Sequence, residues 1–82
     1  MLYQQLKTQF ISLKPKETHE LDAGEGTILI PPENSKVFLH WLTDKGNVKA
    51  TFTMTYATKV IGKLKVINGS DRSLDIRVIA DI

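Results

Sequence analysis

Residues 48–58 read VKATFTMTYAT, and this stretch decides the fold class. Apolar residues at every second position alternate with Lys49, Thr51, Thr53 and Thr55. Side chains of a β-strand project alternately to the two faces of a sheet, so the alternation predicts a strand with one apolar face and one threonine face. β-branched threonine also fits a pleated sheet better than a helix. The apolar face, which we expect in the core, consists of Val48, Ala50, Phe52, Met54 and Tyr56.

The two faces of this strand should differ in what they contribute to stability. If Phe52 is fully buried, Phe52→Ala should cost about 3 to 5 kcal/mol, because it removes a large core side chain. Thr53→Ala should cost about 0.5 to 1 kcal/mol or less, because Thr53 would face away from the core.

Further strand patterns flank this stretch on both sides. Turn signals separate them, among them Pro15, Pro31-Pro32, the DKGN connection at 44–47, and Asn68-Gly69, while Gly62 indicates a bend or bulge. The DKGN connection predicts a hairpin between 37–42 and the opening stretch. Short strands at this spacing, with no clear helix, predict an all-β fold: a small antiparallel β-sandwich or barrel, jelly-roll-like, of six to seven strands. The other predicted strands cover residues 7–13, 18–21, 27–30, 37–42, 64–67 and 74–82.

The N-terminal residues allow two interpretations. Leu2, Leu6, Phe10 and Leu13 fit a helical stripe, whereas 10–13 also suit a strand. We favour an extended arm over residues 1–10 that enters a strand, within one β domain covering residues 1–82.

Size and composition limit the classes of protein. A chain of 82 residues buries only about 60% of its extended surface on folding, and without cysteine it has no disulfide to compensate. Oligomerisation is the remaining common source of stability. The net charge of +2 is not typical of a nucleic-acid-binding protein, and neither a signal peptide nor a membrane-spanning run is evident. We therefore expect no nucleic acid and no membrane among the partners.

No group of residues predicts a chemical site. His19 and His40 lack further ligands at a useful spacing, and no serine lies in a glycine-flanked elbow. We expect no catalytic residue, no metal and no cofactor. A basic segment with Lys59, Lys63 and Lys65 could contact nucleic acid, but the solvated edge of a sheet explains it better.

Excess apolar surface predicts association with other chains. VFLHWL at 37–42 has no polar face, and Ile79 interrupts the polar face of the last strand. Trp41 fits a core position best, although a subunit contact or a sugar platform is also open. Large exposed apolar patches usually mark interfaces. The candidate interface residues are Leu2, Tyr3, Leu6, Phe10, Val37, Leu39, Trp41 and Ile79.

The chain resembles the small β-sandwich structural proteins of tailed bacteriophages, particularly capsid decoration or cement proteins. The resemblance rests on LKPKETHELDAGEGTILIPPENS at 13–35, on VKATFTMTYAT, and on LKVINGSDRSLDIRVIADI at 64–82. It implies a non-enzymatic virion protein that forms homo-oligomers, often trimers, and binds a major capsid or other structural protein. It carries no site residue over to this chain.

Two hypotheses follow from these observations. The first is a structural assembly protein located in the virion. The second is a carbohydrate- or surface-ligand-binding β module, with Trp41 and His40 in its platform and a cytoplasmic location as the alternative. Tryptophan fluorescence separates them, because only a solvent-exposed Trp41 would respond to sugar.

Overall fold

The computed structural model describes residues 6–81, with side chains from Thr8 to Ala80. The all-β prediction is confirmed, since the described residues form strands and turns and no helix. The described residues form eight strands rather than the predicted six or seven. The additional strand is β6, at Thr58–Val60, which the sequence pattern did not distinguish from its surroundings. The strands are β1 (Leu6–Leu13), β2 (Thr18–Asp22), β3 (Thr27–Ile30), β4 (Val37–Leu42), β5 (Val48–Met54), β6 (Thr58–Val60), β7 (Lys63–Asn68) and β8 (Leu74–Asp81).

The strands form two four-stranded antiparallel sheets packed as a sandwich. Sheet I has the order β1-β8-β3-β6, and sheet II has the order β2-β7-β4-β5. Every strand of the first half of the chain pairs with one of the second half: β1 with β8, β2 with β7, β3 with β6, and β4 with β5. This is a long hairpin, with β4 and β5 at its tip, rolled into two sheets. The fold is therefore a jelly roll.

The core lies between the two sheets and is made by alternate residues of the central strands, with further residues from the edge strands β1, β5 and β6. In β8, Leu74, Ile76 and Val78 are buried while Asp75 and Arg77 are exposed, which confirms the alternation predicted for this strand. β4 turns Val37, Leu39 and Trp41 toward sheet I. The remaining core residues are Ile11, Leu13, Ala23, Leu29, Met54, Val60, Leu64 and Val66.

β5 differs from its prediction in both position and burial. It is an edge strand that ends at Met54, so Tyr56 lies beyond it and is 66% exposed. Met54 is fully buried, but Phe52 is 40% exposed. A register shift also places Val48 opposite Leu42, on the face away from Ala50, so the alternation does not continue to the start of the strand.

The length of β6 explains why the apolar face of β5 remains uncovered. The short connection after Met54 brings β6 to the same side of the sandwich as β5. Because β6 has only three residues and β5 has seven, sheet I cannot cover the whole of β5. The apolar pattern predicted the strand correctly, but it did not show that the facing strand would be so short.

Two turns have the chemistry that the sequence predicts. Gly46 adopts a φ of 83° in the β4–β5 turn, a backbone region that glycine enters without strain. Asn68 closes the β7–β8 turn: its fully buried amide donates to the carbonyl oxygens of Leu13 and Arg72 and accepts from the amide of Ser70. The Asn-Gly-Ser tripeptide is therefore a structural turn.

Candidate interaction surfaces

The predicted interface residues are not on one surface. Val37 and Leu39 are fully buried, so the folded chain cannot offer them to a partner. The reason is that β4 is a central strand of sheet II and turns both side chains toward sheet I. Leu2 and Tyr3 lie outside the described residues. Leu6 begins β1, but its side chain is likewise outside them.

Phe10 and Ile79 share the outer face of sheet I. Phe10 is 64% exposed and lies opposite Arg77, while Ile79 lies between Thr8 and Ile28. Residues opposite each other in antiparallel strands project from the same face, so Phe10 and Ile79 lie on one face as diagonal neighbours, opposite Arg77 and Thr8 respectively.

Two residues of β3 extend this surface. Ile28 is 39% exposed and Ile30, opposite Arg77, is partly buried. In TILI, Thr27 and Leu29 are buried in the core and the two isoleucines lie on the outer face. The only sequence signal for the outward position of the isoleucines was the apolar run itself, which has no polar residue to mark its outer face. The outer patch, as we name it here, consists of Phe10, Ile28, Ile30 and Ile79.

Charged groups surround and divide the outer patch. Arg77 lies between Phe10 and Ile30. Lys59, on the edge strand β6, lies opposite Ile28 of β3. Asp75 accepts a 2.7 Å hydrogen bond from the hydroxyl of Ser12 at the far end of the same face. The surface therefore combines exposed apolar side chains with a polar border.

A second apolar surface lies at the edge strand β5. The Trp41 groove, a hollow of about 660 Å³, lies between the start of β5 and the Ile61–Lys63 segment. The Trp41 side chain is partly buried against the core, and its indole N–H donates a 2.9 Å hydrogen bond to the carbonyl oxygen of Ile61. The residues that line the groove are Gly24, Glu25, Trp41, Leu42, Lys49, Ala50, Ile61, Gly62 and Lys63.

The outer face of sheet II is mainly polar. His40 lies between Lys65 and Thr51, and Glu20 lies on the other side of Lys65. The threonines predicted to share one face of β5 thus border β4 residues that are only half-buried, among them Phe38.

The predicted basic segment is divided between the two sheets. Lys59 belongs to sheet I, whereas Lys63 and Lys65 belong to sheet II, opposite Asp22 and Glu20. Acidic neighbours thus accompany both lysines of sheet II.

The described part of the chain contains no group of three His, Cys, Asp or Glu side chains placed to hold a metal ion. Three of its serine hydroxyls have structural partners: Ser12 donates to Asp75, Ser35 to the carbonyl oxygen of Pro32, and Ser70 to that of Lys36.

Comparisons of the chain with protein-family models, with curated proteins and with solved structures find no match. Within residues 6–81 there is no helix of the length and apolarity needed to cross a membrane.

Proposed function

We propose that the chain is a non-enzymatic structural protein that associates with itself and binds a larger shell, in the manner of the capsid decoration or cement proteins that it resembles. In this role the virion is its location, and its partners are further copies of itself and a major capsid or other structural protein. The outer patch is the surface that we assign to the shell.

Exposure of the outer patch is the observation that carries this proposal. The sandwich closes its core without these side chains, yet Phe10 keeps 64% and Ile28 keeps 39% of its surface in water. Removal of apolar surface from water contributes roughly 25 cal/mol of stabilising free energy for each Å². A complex in which the partner covers the outer patch is therefore stabilised. Contiguous exposed apolar surface on a soluble domain typically marks a binding site.

The composition of the surface also suits a protein partner. Interfaces commonly have an apolar centre with aromatic residues and arginine, and a polar rim. Phe10 and Arg77 are neighbours on this face, with Lys59 and Asp75 toward its border. A flat sheet face of this kind fits a broad protein surface better than a small ligand, which needs a concave site.

The alternative role, a carbohydrate-binding module, has less support. A sugar platform needs an exposed aromatic face and polar groups that form hydrogen bonds around it. The Trp41 N–H already donates to the carbonyl oxygen of Ile61, and most of the exposed surface of the groove is apolar, with charged Glu25, Lys49 and Lys63 in its lining.

Sedimentation with capsids tests the shell partner. Purified wild-type protein should pellet with tailed-phage heads from the same source that have been stripped of their decoration protein. Phe10→Gln should remain in the supernatant, because it places an amide within the outer patch. Thr18→Gln, an exposed change on sheet II, is the matched control and should pellet like the wild type. Heads that sediment without the wild-type protein would contradict the proposal.

A further inference from the structure

We infer that two copies of the chain pair through their β5 strands in antiparallel orientation, which joins the two copies of sheet II into one eight-stranded sheet. The inference rests on the proposed self-association and assigns it to one edge of the molecule. It concerns a surface separate from the outer patch, which lies on sheet I.

β5 is an edge strand of sheet II as the structure describes it. An edge strand presents a row of free N–H and C=O groups that can pair with another strand. β5 has seven residues, about 23 Å of strand, and among the described strands it pairs only with β4. Lys49 is the one charged residue in it.

Exposed apolar side chains lie beside this edge. Phe52 is 40% exposed, and Ile61 across the Trp41 groove is 59% exposed. The other edge of sheet II, β2, has mainly polar exposed side chains, including His19 and Glu20. Within residues 6–81, β5 is the edge of sheet II at which an unpaired row of backbone groups adjoins uncovered apolar side chains.

Pairing along the full length of β5 fixes how the two copies align. Two identical antiparallel strands pair about a two-fold axis, and a strand from Val48 to Met54 has Thr51 at its midpoint. In that register Phe52 of each copy lies opposite Ala50 of the other, so a large side chain meets a small one beside the Trp41 groove. Lys49 lies opposite Thr53, which keeps the two lysines apart.

Like charges introduced at the two-fold axis test this register. Thr51 of one copy faces Thr51 of the other, so Thr51→Lys places two like charges directly opposite each other, as does Thr51→Glu. In light scattering coupled to size exclusion, the wild type should have about twice the chain mass of 9.2 kDa, or a multiple of that dimer. Each variant alone should lose the β5 pairing and halve its mass, and a mixture of the two should restore it.

The matched controls are Thr18→Lys and Thr18→Glu on the opposite edge of sheet II, which should leave the mass unchanged. Circular dichroism should show that all four variants keep the β fold, because both threonines are exposed. A wild-type oligomer that survives both Thr51 variants would overturn the β5 pairing while leaving self-association intact. A wild-type monomer would overturn the pairing and also the self-association in the proposed function. Sedimentation with capsids would remain an independent test of the shell partner.

Discussion

Asn68 is the residue on which the closing turn of the sandwich depends. Its side chain has no exposed surface, and it joins three segments by hydrogen bonds of 2.8–3.0 Å to Leu13, Arg72 and Ser70. Burial of a polar group costs the free energy of removing it from water, and a hydrogen bond inside the protein offsets that cost. If the partner is removed, the cost remains and the offset is lost. One amide thus holds the end of β1, the end of β7 and the approach to β8 together.

Asn68→Ala should lower the free energy of unfolding by about 2 to 4 kcal/mol, because it leaves two carbonyl oxygens and one amide without their bonds. Chemical denaturation measures the change. Asn47→Ala is the matched control, since Asn47 lies in an exposed turn, and it should cost about 0.5 kcal/mol or less. Equal costs for the two substitutions would contradict the structural role of Asn68.

The neighbouring Gly69 is required for a different reason, the close approach of an aromatic ring. A Cβ atom at this position would lie 2.6 Å from Cε2 of Phe38. Gly69→Ala should therefore destabilise the fold by about 1 to 3 kcal/mol through overpacking. The measurement is again chemical denaturation.

Gly26→Ala provides the control for Gly69, because the nearest atom there is Cε of Lys59 at 3.0 Å, in a flexible side chain. Phe38→Leu should reduce the cost of Gly69→Ala when the two changes are combined. An unchanged cost in the double variant would show that the ring is not the cause.

At the scale of single elements, β5 shows what an alternating pattern can and cannot predict. The pattern correctly identifies a strand, and the DKGN turn correctly predicts its pairing with β4. It could not predict that the facing strand would have three residues, because that depends on where the chain leaves sheet II after Met54. Alternation reports which residues share a face, and only the tertiary fold determines whether that face is covered.

Substitutions along β5 should reflect this partial cover. Met54→Ala should cost about 2 to 5 kcal/mol, as for a fully buried side chain. Phe52→Ala should cost only about 1 to 2 kcal/mol, well below the value expected from the sequence for a buried phenylalanine, because much of the ring stays in water.

The comparison is best made by chemical denaturation in the Thr51→Lys background, so that pairing between copies does not add to the result. A cost for Phe52→Ala as large as that for Met54→Ala would mean that the ring is covered in the monomer.

The surfaces are less predictable than the strands for the same reason. Phe10 and Ile79 were predicted as contact residues and do lie on an outer face, whereas Val37 and Leu39 came from the same reasoning and are core residues. An all-apolar strand such as β4 has no polar face to mark its outside. Burial distinguishes the two faces: Val37 and Leu39 are fully enclosed, whereas Phe38 and His40 are only half-buried.

At the scale of the whole molecule, the jelly-roll order brings the first and last described strands together. Leu6 lies opposite Asp81, while the β4–β5 tip has an exposed turn that contains Gly46. The described chain thus enters and leaves the sandwich at neighbouring strand ends and has an exposed turn elsewhere, and both features favour circular permutation.

A permuted chain with a short linker between Ile82 and Met1, opened between Lys45 and Gly46, should therefore fold. We expect a β-type circular dichroism spectrum and a cooperative thermal transition. The control permutant opens between Ile76 and Arg77, inside the central strand β8, and should not fold. A folded control would contradict the role of an unbroken β8 in joining β1 to β3.

The position of β8 also determines when the molecule can fold during synthesis. β8 is made after the other seven described strands, yet it lies between β1 and β3 and supplies Leu74, Ile76 and Val78 to the core. On the ribosome, the preceding strands can form the β4–β5 hairpin, but sheet I has no centre until β8 emerges from the exit tunnel. The decisive step of folding therefore waits for β8, and until β8 is available the nascent chain exposes the apolar strands that a chaperone would bind.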